Sequence, residues 1–586
     1  MNRSTLARRY LPLAVVLAVQ LLIIAVVPSK APSSTVAAGL SGGNGLTGSD
    51  VGSGATGDAA GAAGGAGAAG GAGGGASGGA TTGAVKAGQK FTGPVLAANG
   101  GINYPDGDRS HCKGDRQFDP SIYYWAPPCQ GKFVGKASGA TYQGVGDDGT
   151  IKILWYRGKP NPAVDAIATA QQANSDTTQN QQFADAVQKF MNSNFEFWGR
   201  KVSIKVRQGS CDAVPPDYRC LRGEVDQFIQ EEHPYFIMWN TSLASPFFAQ
   251  ASFDKVPNAG GWHFRDSFNQ QYAPYHWDVQ QSGTQMLNAF GDFYCQKFKG
   301  GVAKYAGEPH YAGETDLRTK PRVLGVIATN DPENKKAMEV DLKAALSRCG
   351  TSFAHSYYYA QDISTADQQR KAGVAAMMAN PTSTGVLCFC DLIAPAFLYE
   401  TEEEDHYHPE NFITGSGYMD ADASGRVYDT LLPGDPSCGC NHEYENAFGL
   451  SQLEAQEAVG RDAAARVYHA GGAAGNPPYK AAGTDLDYLM MIGSLIQQAG
   501  PTLTPQTMQI GAQTTAPRGG SGTGHIRRSF GKGDYAWNDD MRQVWWSPKE
   551  VSGFDGKAGA YHDMFPGKRF LPGQYAGDFV LPPKPR

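Results

Sequence analysis

The hydrophobic positions after residue 150 alternate between two patterns. Residues 151–156 form a short apolar run, and Val202, Ile204 and Val206 alternate with polar residues, as β-strands do. Residues 181–197, which lie between them, carry apolar side chains at helical spacing. Repeated units of this kind predict a parallel β-sheet that is covered by helices on both faces.

The same order begins again in the second half of the chain. A long predicted helix at 279–299 is followed by a strand at 323–328 and a helix at 332–348. The pattern continues with strands at 351–359, 385–390 and 411–415 and a helix at 365–379. We therefore predict an α/β fold with two lobes, each with a parallel β-sheet flanked by helices, joined by a multi-strand hinge.

The alternation of predicted strands and helices ends after the second set of β-α units. We therefore predict that each lobe contains two separate segments of the chain. Lobe 1 is expected from about 147–274 and 412–505, and lobe 2 from about 275–411 and 506–575. Ligands of open α/β sheets bind beyond the carboxyl ends of the strands, and domain interfaces favour pockets. The cleft between the lobes is therefore the expected ligand site.

The segments before the lobes have a different composition. Residues 1–30 carry three arginines, Arg3, Arg8 and Arg9, before an apolar run, which is typical of a signal peptide or a signal-anchor helix. Residues 31–95 are rich in Gly and Ala and are expected to form a disordered linker. A Cys-containing leader segment (96–146) then precedes the two-lobed domain (147–586).

Charge places the folded part outside the cytoplasmic membrane. The arginines before the apolar run stay inside, so the rest of the chain is exported. It is then tethered by an N-terminal helix if the segment is uncleaved, or secreted if it is cleaved. The net charge of −6 argues against a nucleic-acid binder, which needs a basic surface.

The cysteines fit an exported protein, because their number is even and all ten follow residue 111. The expected disulfides are Cys112–Cys129 and Cys211–Cys220, which close local loops, and Cys295–Cys349. The remaining four are Cys388, Cys390, Cys438 and Cys440. They either bridge between the two C-x-C segments or bind a metal as four thiolates, although structural zinc sites prefer two to four residues between paired cysteines.

Small polar residues follow one predicted strand of the first lobe. Asn240, Thr241 and Ser242 come directly after the strand 235–239 and just before a helix opened by Pro246. Donors at a helix N-terminus suit the anionic group of a ligand. The same residue types also serve as helix caps, so both interpretations stand.

Aromatic residues and one carboxylate complete the predicted ligand site. The aromatic set contains Trp239, Trp262, His263 and Tyr275, which either enclose an apolar part of the ligand or pack in the core and hinge. Asp391 follows a second-lobe strand and is either a partner for an ammonium group or a helix cap. The set suits a small zwitterion, or a polar group with an apolar part.

Several stretches of the chain together resemble one known family. They are TIKILWY (150–156), KPRVLGVIATNDPENKKAMEVDLKAAL (320–346), ITGSGYMDAD (413–422), NAFGLSQ (446–452) and HIRRSFGKGDYAWNDDMRQVWW (525–546). In these stretches the chain resembles type I periplasmic-binding proteins, in the branched-chain amino acid (Leu/Ile/Val) solute-binding family of ABC importers. The leader stretches YYWAPPCQGKF (123–133) and GATYQGVGDDGTIKI (139–153) resemble actinobacterial-type members.

The resemblance implies a function and a set of partners. It implies an extracytoplasmic protein that captures an amino acid, amide or related carboxylate between its lobes and delivers it to the membrane permease of an ABC transporter. Family members bind the ligand carboxylate and ammonium through hydroxyls after first-lobe strands and an acidic group in the second lobe. Thr241, Ser242 and Asp391 are the matching positions here.

Two other functional classes stay open. An exported enzyme would need a catalytic constellation. No Gly-x-Ser-x-Gly elbow falls between a predicted strand and helix, and the sequence has no phosphate-binding G-x-x-x-x-G-K-[ST] loop and no H-E-x-x-H motif. We therefore expect neither catalysis nor a cofactor. A ligand-sensing ectodomain that works with a signalling partner is the other alternative, because the same fold serves both roles.

One charged segment stands apart from the predicted ligand site. Residues 402–408 (EEEDHYH) combine carboxylates with two histidines. The segment either binds a divalent metal or senses pH, or it is a solvated surface stretch after a helix.

Overall fold

The computed structural model describes residues 108–134, 139–239, 244–430 and 443–575, together with the backbone of two short strands near residue 100. The predicted signal segment and nearly all of the Gly/Ala-rich linker lie outside these residues. Within the described ranges, no helix has both the length and the apolar character needed to span a bilayer.

The strands, in chain order, are β1 (Val95–Leu96), β2 (Ile102–Asn103), β3 (Thr150–Arg157), β4 (Lys201–Gln208), β5 (Phe236–Trp239), β6 (Asn258–Gly260), β7 (His276–Trp277), β8 (Leu324–Thr329), β9 (Phe353–Tyr359), β10 (Gly385–Phe389), β11 (Glu410–Ile413), β12 (Ala447–Ser451), β13 (Arg518–Gly520), β14 (His525–Arg528), β15 (Arg542–Val551) and β16 (Ala558–Asp563).

The helices, in chain order, are α1 (Pro162–Ala170), α2 (Thr177–Asn194), α3 (Tyr218–Glu232), α4 (Ser245–Phe253), α5 (Asp266–Gln271), α6 (Gly283–Lys297), α7 (332–347), α8 (Ala366–Met378), α9 (Ala394–Glu404), α10 (Asp422–Thr430), α11 (Ala463–Ala470), α12 (Ala482–Ala499) and α13 (Pro505–Thr514). Helix α7 contains a π-helical segment, Ala337–Leu342.

The first lobe is built on a five-stranded parallel sheet with the order β4-β3-β5-β6-β7. Successive side chains of β3 point to opposite faces of the sheet, and both faces are buried. Ile151, Ile153 and Trp155 pack with helices α2 and α12. Leu154 and Tyr156 pack with α3 and α4 on the other face. The predicted covering of a parallel sheet on both faces is confirmed for this lobe.

The second lobe is built on a seven-stranded sheet with the order β16-β15-β12-β11-β10-β8-β9. Five neighbouring strands, β9, β8, β10, β11 and β12, are parallel, and β15 and β16 add an antiparallel edge. Val326 and Ala328 pack against α6 and α7, whereas Ile327 faces α8 and α9. The fold is thus α/β with two helix-flanked lobes, as the sequence predicts.

Capping residues fix where the helices begin. Helix α2 starts after Asp176, whose side chain accepts from the backbone N–H of Gln179, while the Gln179 side chain bonds back to the Asp176 backbone. Helix α6 starts after Ser282 with the same arrangement at Gln285. Because α6 is the first helix of the second lobe, the Ser282 cap sets the end of the first crossing between the lobes.

Three described segments connect the lobes: 277–283, 451–463 and 528–542. They lie side by side, since the Asp278 N–H donates to the Tyr535 carbonyl at 2.8 Å and the Asn538 N–H donates to the Val279 carbonyl at 3.0 Å. The Gln281 N–H donates to the side-chain oxygen of Gln452 at 3.1 Å. The connection is therefore a multi-strand hinge.

The lobe boundaries differ from the predicted ones. The chain returns to the first lobe after β12, not near residue 412, because β11 and β12 extend the second sheet. It stays there until β15, since α13 and β14 contribute Met508 and Ile526 to the first-lobe core. The periodicity identifies these elements but does not show which strand each one pairs with, and pairing decides the lobe.

The leader segment packs against the first lobe. Phe118, Tyr123 and Trp125 belong to the same buried cluster as Ile153 of β3. The Trp125 indole N–H donates to the carbonyl of Ile526 at 2.9 Å. The leader is therefore part of the first lobe.

Disulfides join three predicted cysteine pairs, Cys112–Cys129, Cys211–Cys220 and Cys295–Cys349. The expectation for the C-x-C segments is wrong at Cys388 and Cys390, which are bonded to each other. Neither residue therefore has a thiolate available for a metal or for the other segment. Cys438 and Cys440 lie outside the described residues.

Candidate functional site

The cleft between the two lobes contains a cavity of about 460 Å³, a size typical of small-molecule sites. It lies beyond the carboxyl ends of strands from both sheets. Arg157 ends β3, Tyr359 ends β9 and Asp391 follows β10, and all three line the cavity. The position is the one expected for a ligand in an α/β fold.

Much of the cavity wall is aromatic. The rings come from the leader and from both lobes, and they include Trp125, Trp155, Trp262, Tyr359, Phe397 and Tyr418. Such rings provide a large apolar surface, and the indole N–H and phenol O–H groups add polar contacts. The wall therefore suits a ligand with an apolar or aromatic portion.

Arg157 brings a positive charge to this wall. Its Nη1 donates to Ser175 Oγ at 2.7 Å and to the side-chain oxygen of Asn180, and its Nη2 donates to the Ser175 carbonyl at 2.6 Å. All of these acceptors are neutral. In the described part of the chain, no carboxylate lies within the 4.0 Å ion-pair distance of the half-buried guanidinium. A ligand carboxylate would supply a directly bonded counter-charge.

Other arginines that line the cavity already pair with carboxylates. Arg528 bonds to Asp487 at 2.6 Å and lies 3.7 Å from the centre of the Trp125 ring. Arg370 and Arg466 pair with Glu400 and Glu457, respectively. Lys480 is exposed and donates to the Gln172 side chain at 2.6 Å. Arg157 is thus the lining arginine whose charge is open to a ligand.

Trp262 offers a further donor. Its side chain is buried, lines the cavity and has an indole Nε1 without a hydrogen-bond partner among the described residues. The backbone of Trp262 is left-handed, with φ of 36°, and so are those of His263 (67°) and Tyr418 (59°). Such backbone conformations are costly for residues other than glycine and cluster at functional sites.

Asp391 lies in the second-lobe wall of the cavity as a helix cap. Its Oδ1 accepts from the backbone N–H groups of Ile393 and Ala394 at 2.8 and 2.9 Å. Its Oδ2 accepts from Gln361 Nε2 at 3.3 Å, and its own N–H donates to the Tyr359 hydroxyl at 2.9 Å. The carboxylate is rigidly placed, with Oδ2 on the less occupied side.

The structure brings together only some of the residues predicted for the ligand site. Trp262 and Asp391 line the cavity, whereas Trp239, His263 and Tyr275 do not. Asn240, Thr241 and Ser242 lie outside the described residues, so their predicted role stays a prediction.

The three predicted residues that do not line the cavity make structural contacts elsewhere. Trp239 is buried among Tyr156 and Phe247, because its side chain points into the sheet face covered by α3 and α4. His263 is buried beneath the cleft, with Nδ1 at 2.9 Å from the Gln281 carbonyl. Tyr275 precedes β7 and therefore lies at the amino end of the strand, away from the cleft.

Sequence reasoning missed Trp125, Arg157 and Tyr418. Arg157 carried a usable signal, since it directly follows the apolar run of the first strand and so lies at the carboxyl edge of the sheet. Trp125 lies in the leader and reaches the cleft only because the leader packs on the first lobe. Only the tertiary structure could place it there.

Side chains from the two lobes also touch across the cleft. Gln171 of the first lobe donates to the Leu392 carbonyl of the second at 2.7 Å. Arg265 forms a bidentate pair with Asp341 of α7, at 2.7 and 3.0 Å. The backbone N–H of Gly417 donates to His263 Nε2 at 3.2 Å. These contacts hold the lobes close together around the cavity.

Comparison with known proteins gives fold likenesses at low identity. No family model and no curated protein matches the chain. Among solved structures, an R. palustris ABC-transporter solute binding protein in complex with 4-hydroxybenzoate is 13% identical, covers 72% of this chain and 98% of its own, and has a TM-score of 0.47. A possible leucine/isoleucine/valine-binding protein from Rhodopirellula baltica SH 1 is 10% identical, with coverages of 71% and 97% and a TM-score of 0.46.

A second R. palustris solute binding protein, in complex with benzoate, is 10% identical, with coverages of 73% and 99% and a TM-score of 0.47. Each of these TM-scores is under 0.5. The cleft residues of this chain therefore carry the functional conclusion.

Proposed function

We propose that this protein is an extracytoplasmic solute-binding protein, which captures a small organic acid or amino-acid-like ligand between its lobes and delivers it to an ABC-transporter permease. The observation that carries the proposal is the cleft itself. It combines an aromatic cavity of about 460 Å³ with the Arg157 guanidinium, whose hydrogen bonds go to neutral acceptors. Membrane attachment would come from the N-terminal segment.

The polarity of the cleft indicates how such a ligand would be oriented. Its carboxylate would lie at Arg157, since a guanidinium binds a carboxylate with two parallel hydrogen bonds. The unpartnered indole N–H of Trp262 would donate to a second polar atom. The apolar portion would lie among the rings of Trp155, Tyr359 and Tyr418.

The predicted roles of the remaining sequence-derived residues extend this arrangement. Thr241 and Ser242 are proposed as additional donors to the anionic group, because β5 ends at Trp239 and α4 begins at Ser245. Asp391 is proposed as the partner of an ammonium group in a zwitterionic ligand, through its Oδ2 atom. An acid without an ammonium group would not need Asp391.

The test is isothermal titration calorimetry of the purified protein with a panel of amino acids, amides and aromatic acids. Hydrogen bonds to charged groups contribute about 1.5–3 kcal/mol each. Arg157→Met should therefore weaken the best ligand by at least about tenfold, and Ser242→Ala by about ten- to a hundredfold. Asp391→Asn should weaken zwitterions more than simple acids.

Arg219→Met is the matched control, because Arg219 is exposed on α3 and does not line the cavity. It should bind the ligand like the wild type. If Arg157→Met binds the best ligand as tightly as the Arg219→Met control, the anion site is wrongly placed. If nothing in the panel binds to the wild type, the proposed ligand class is wrong.

Transport is then tested in the cell. Deletion of the protein should abolish high-affinity uptake of the labelled ligand, and the Arg157→Met variant should fail to restore it. Normal uptake with an altered transcriptional response to the ligand would instead favour the sensing alternative.

A further inference from the structure

A second group of polar side chains lies at the opposite edge of the second-lobe sheet. His408 and Glu443 come just before β11 and β12, so they are at the amino ends of these strands, whereas the cleft is at the carboxyl ends. Glu403 lies in the last turn of α9, and Glu314 lies in the loop after α6. Four separate segments of the chain therefore meet at this point.

This group contains more carboxylates than cationic side chains that could pair with them. The side chains of Glu314 and Glu443 are only 7% and 2% exposed, and their ion pairs in the described structure are with histidines alone. No described lysine or arginine forms an ion pair with either of them. Buried carboxylates of this kind are costly unless a cation compensates them.

His408 is oriented as a metal-binding histidine would be. Its Nδ1 lies 2.7 Å from Glu443 Oε2, which holds the ring and favours the tautomer with the proton on Nδ1. The side chain is 5% exposed, and Nε2 has no hydrogen-bond partner in the part of the chain that is described. The Nε2 lone pair faces Glu314, whose Oε2 is 3.7 Å away.

The distances fit one ion between these groups. Donor atoms of Glu403, His408 and Glu443 all lie within 4.8 Å of one another. Two ligands of a tetrahedral zinc ion, with bonds of about 2.0–2.2 Å, are roughly 3.3–3.6 Å apart. The separation of His408 Nε2 and Glu314 Oε2 therefore needs only a small adjustment. His310 adds a second imidazole, with its ring centroid 4.7 Å from that of His408.

We propose that Glu403, His408 and Glu443, with Glu314 close to His408 Nε2, form a structural site for a divalent transition metal such as Zn²⁺. Mixed imidazole and carboxylate ligands suit zinc, whereas Mg²⁺ is bound mainly by oxygen ligands and water. The ion ties the end of α9 to the starts of β11 and β12. Under this proposal, the histidine- and acid-rich segment 402–408 is a metal-binding segment.

The test is Zn²⁺ binding to the purified protein, measured by competition with a chromophoric chelator after removal of bound metal. The wild type should bind one Zn²⁺ per chain at this site, show no comparable binding of Mg²⁺, and unfold at a higher temperature when Zn²⁺ is present. His408→Gln should weaken Zn²⁺ binding by at least tenfold, and Glu443→Gln by about ten- to a hundredfold.

Glu404→Gln is the control, because Glu404 is next to Glu403 at the end of α9 but its carboxylate pairs with Arg370 at 3.4 Å. It should bind Zn²⁺ like the wild type. Equal Zn²⁺ affinity of wild type, His408→Gln and Glu404→Gln would overturn the proposal.

X-ray absorption at the zinc edge of the wild type provides a second measurement, in case a variant fails to fold. Imidazole nitrogen and carboxylate oxygen ligands are expected. A sulfur ligand shell, or no bound zinc, would refute the site. Because this site and the cleft lie at opposite edges of the sheet, its failure would leave the proposed function untouched.

Discussion

The indole ring of Trp262 and the phenol ring of Tyr418 meet edge to face across the cleft, with ring centroids 5.6 Å apart and an interplanar angle of 77°. Trp262 belongs to the first lobe and Tyr418 to the second, and both line the cavity. Both also have left-handed backbones. A contact between the lobes is thus built from two residues in costly conformations, which is the kind of arrangement found at ligand sites.

The first prediction concerns the Trp262 indole N–H. Trp262→Phe keeps an aromatic ring in the cavity wall but removes a buried donor that has no hydrogen-bond partner among the described residues. A neutral hydrogen bond contributes about 0.5–1.5 kcal/mol, so affinity for the best ligand should fall by about two- to tenfold in calorimetry. Trp545→Phe is the control, since its indole N–H is also unpartnered but lies outside the cavity lining. An equal effect of both variants would contradict the assignment.

The second prediction concerns closure of the lobes. A ligand that contacts both lobes binds the closed form better and shifts the population towards it. Gln171→Ala removes the 2.7 Å hydrogen bond to the Leu392 carbonyl and should favour the open form. Small-angle scattering should show a larger radius of gyration for this variant without ligand, and compaction of both proteins with ligand. Gln227→Ala, on the exposed face of α3, should behave like the wild type.

The third prediction is a pH dependence of stability at the hinge. Burial raises the pKa of Asp278 to about 7, whereas an unfolded aspartate titrates near about 3.9. The folded state therefore holds this proton up to about pH 7, and stability falls as the pH rises through the interval between the two values. On account of this group, the free energy of unfolding should be lower by about 2–3 kcal/mol at pH 8 than at pH 5.

Asp278→Asn isolates this contribution. The amide keeps an oxygen in the position of Oδ1, which accepts from the Tyr488 hydroxyl at 2.6 Å and from the Gln280 N–H at 3.0 Å. Urea denaturation at pH 5, 6.5 and 8 should show a smaller decline in stability for this variant. The exposed Asp147→Asn should retain the full decline, and an unchanged slope in Asp278→Asn would contradict the prediction.

The fourth prediction concerns Arg569, which clamps two of the hinge segments. Its side chain donates to Asp540 Oδ1 at 2.7 Å and to the carbonyls of Gln452 and Leu453 at 2.9 and 3.1 Å. Arg569→Met would leave the buried Asp540 carboxylate without its cation. Removing one partner of a buried pair costs about 3–5 kcal/mol, so urea denaturation should show a loss of this size.

The double variant Arg569→Met/Asp540→Asn separates the loss of the Arg569 contacts from the cost of an uncompensated Asp540 charge. It removes the uncompensated charge, so its stability should lie closer to the wild type than that of Arg569→Met. A strictly additive double variant would mean that the pair does not act as a unit.

The fifth prediction concerns the disulfide between Cys295 and Cys349, which joins the ends of α6 and α7 across a separation of 54 residues. Replacing both cysteines by alanine should lower the free energy of unfolding by about 2–4 kcal/mol, because the unfolded chain loses a constraint. Peptide mapping of the native protein should find this pair joined. Free thiols at both positions would contradict it.

Much of the fold could be predicted from the sequence because local burial leaves a periodic trace. The alternation of Val202, Ile204 and Val206 identified β4, and the apolar run at 323–328 identified β8. The order of strand and helix then implied parallel sheets. Short separations between cysteines also predicted two disulfides correctly, since nearby residues meet most readily in a loop.

The candidate site was predictable only where chain connectivity decides position. Trp262 and Asp391 follow strands, and both reach the cleft. Trp239 also ends a strand, but its side chain points to the covered face of the sheet, where it packs with Tyr156. The face that a terminal side chain occupies depends on register, which a short run of buried residues does not reveal.

The sequence by itself determined the α/β class, the two sets of helix-covered strands and the polar residues at strand ends. Only the tertiary structure decided that β11 and β12 extend the second sheet, that the leader places Trp125 in the cleft, and that Arg157 lines the cleft with no ion-pair partner among the described carboxylates. The physical reason is the range of the interactions. Periodicity records whether a residue is buried, whereas strand order and charge pairing depend on segments that are distant in the chain.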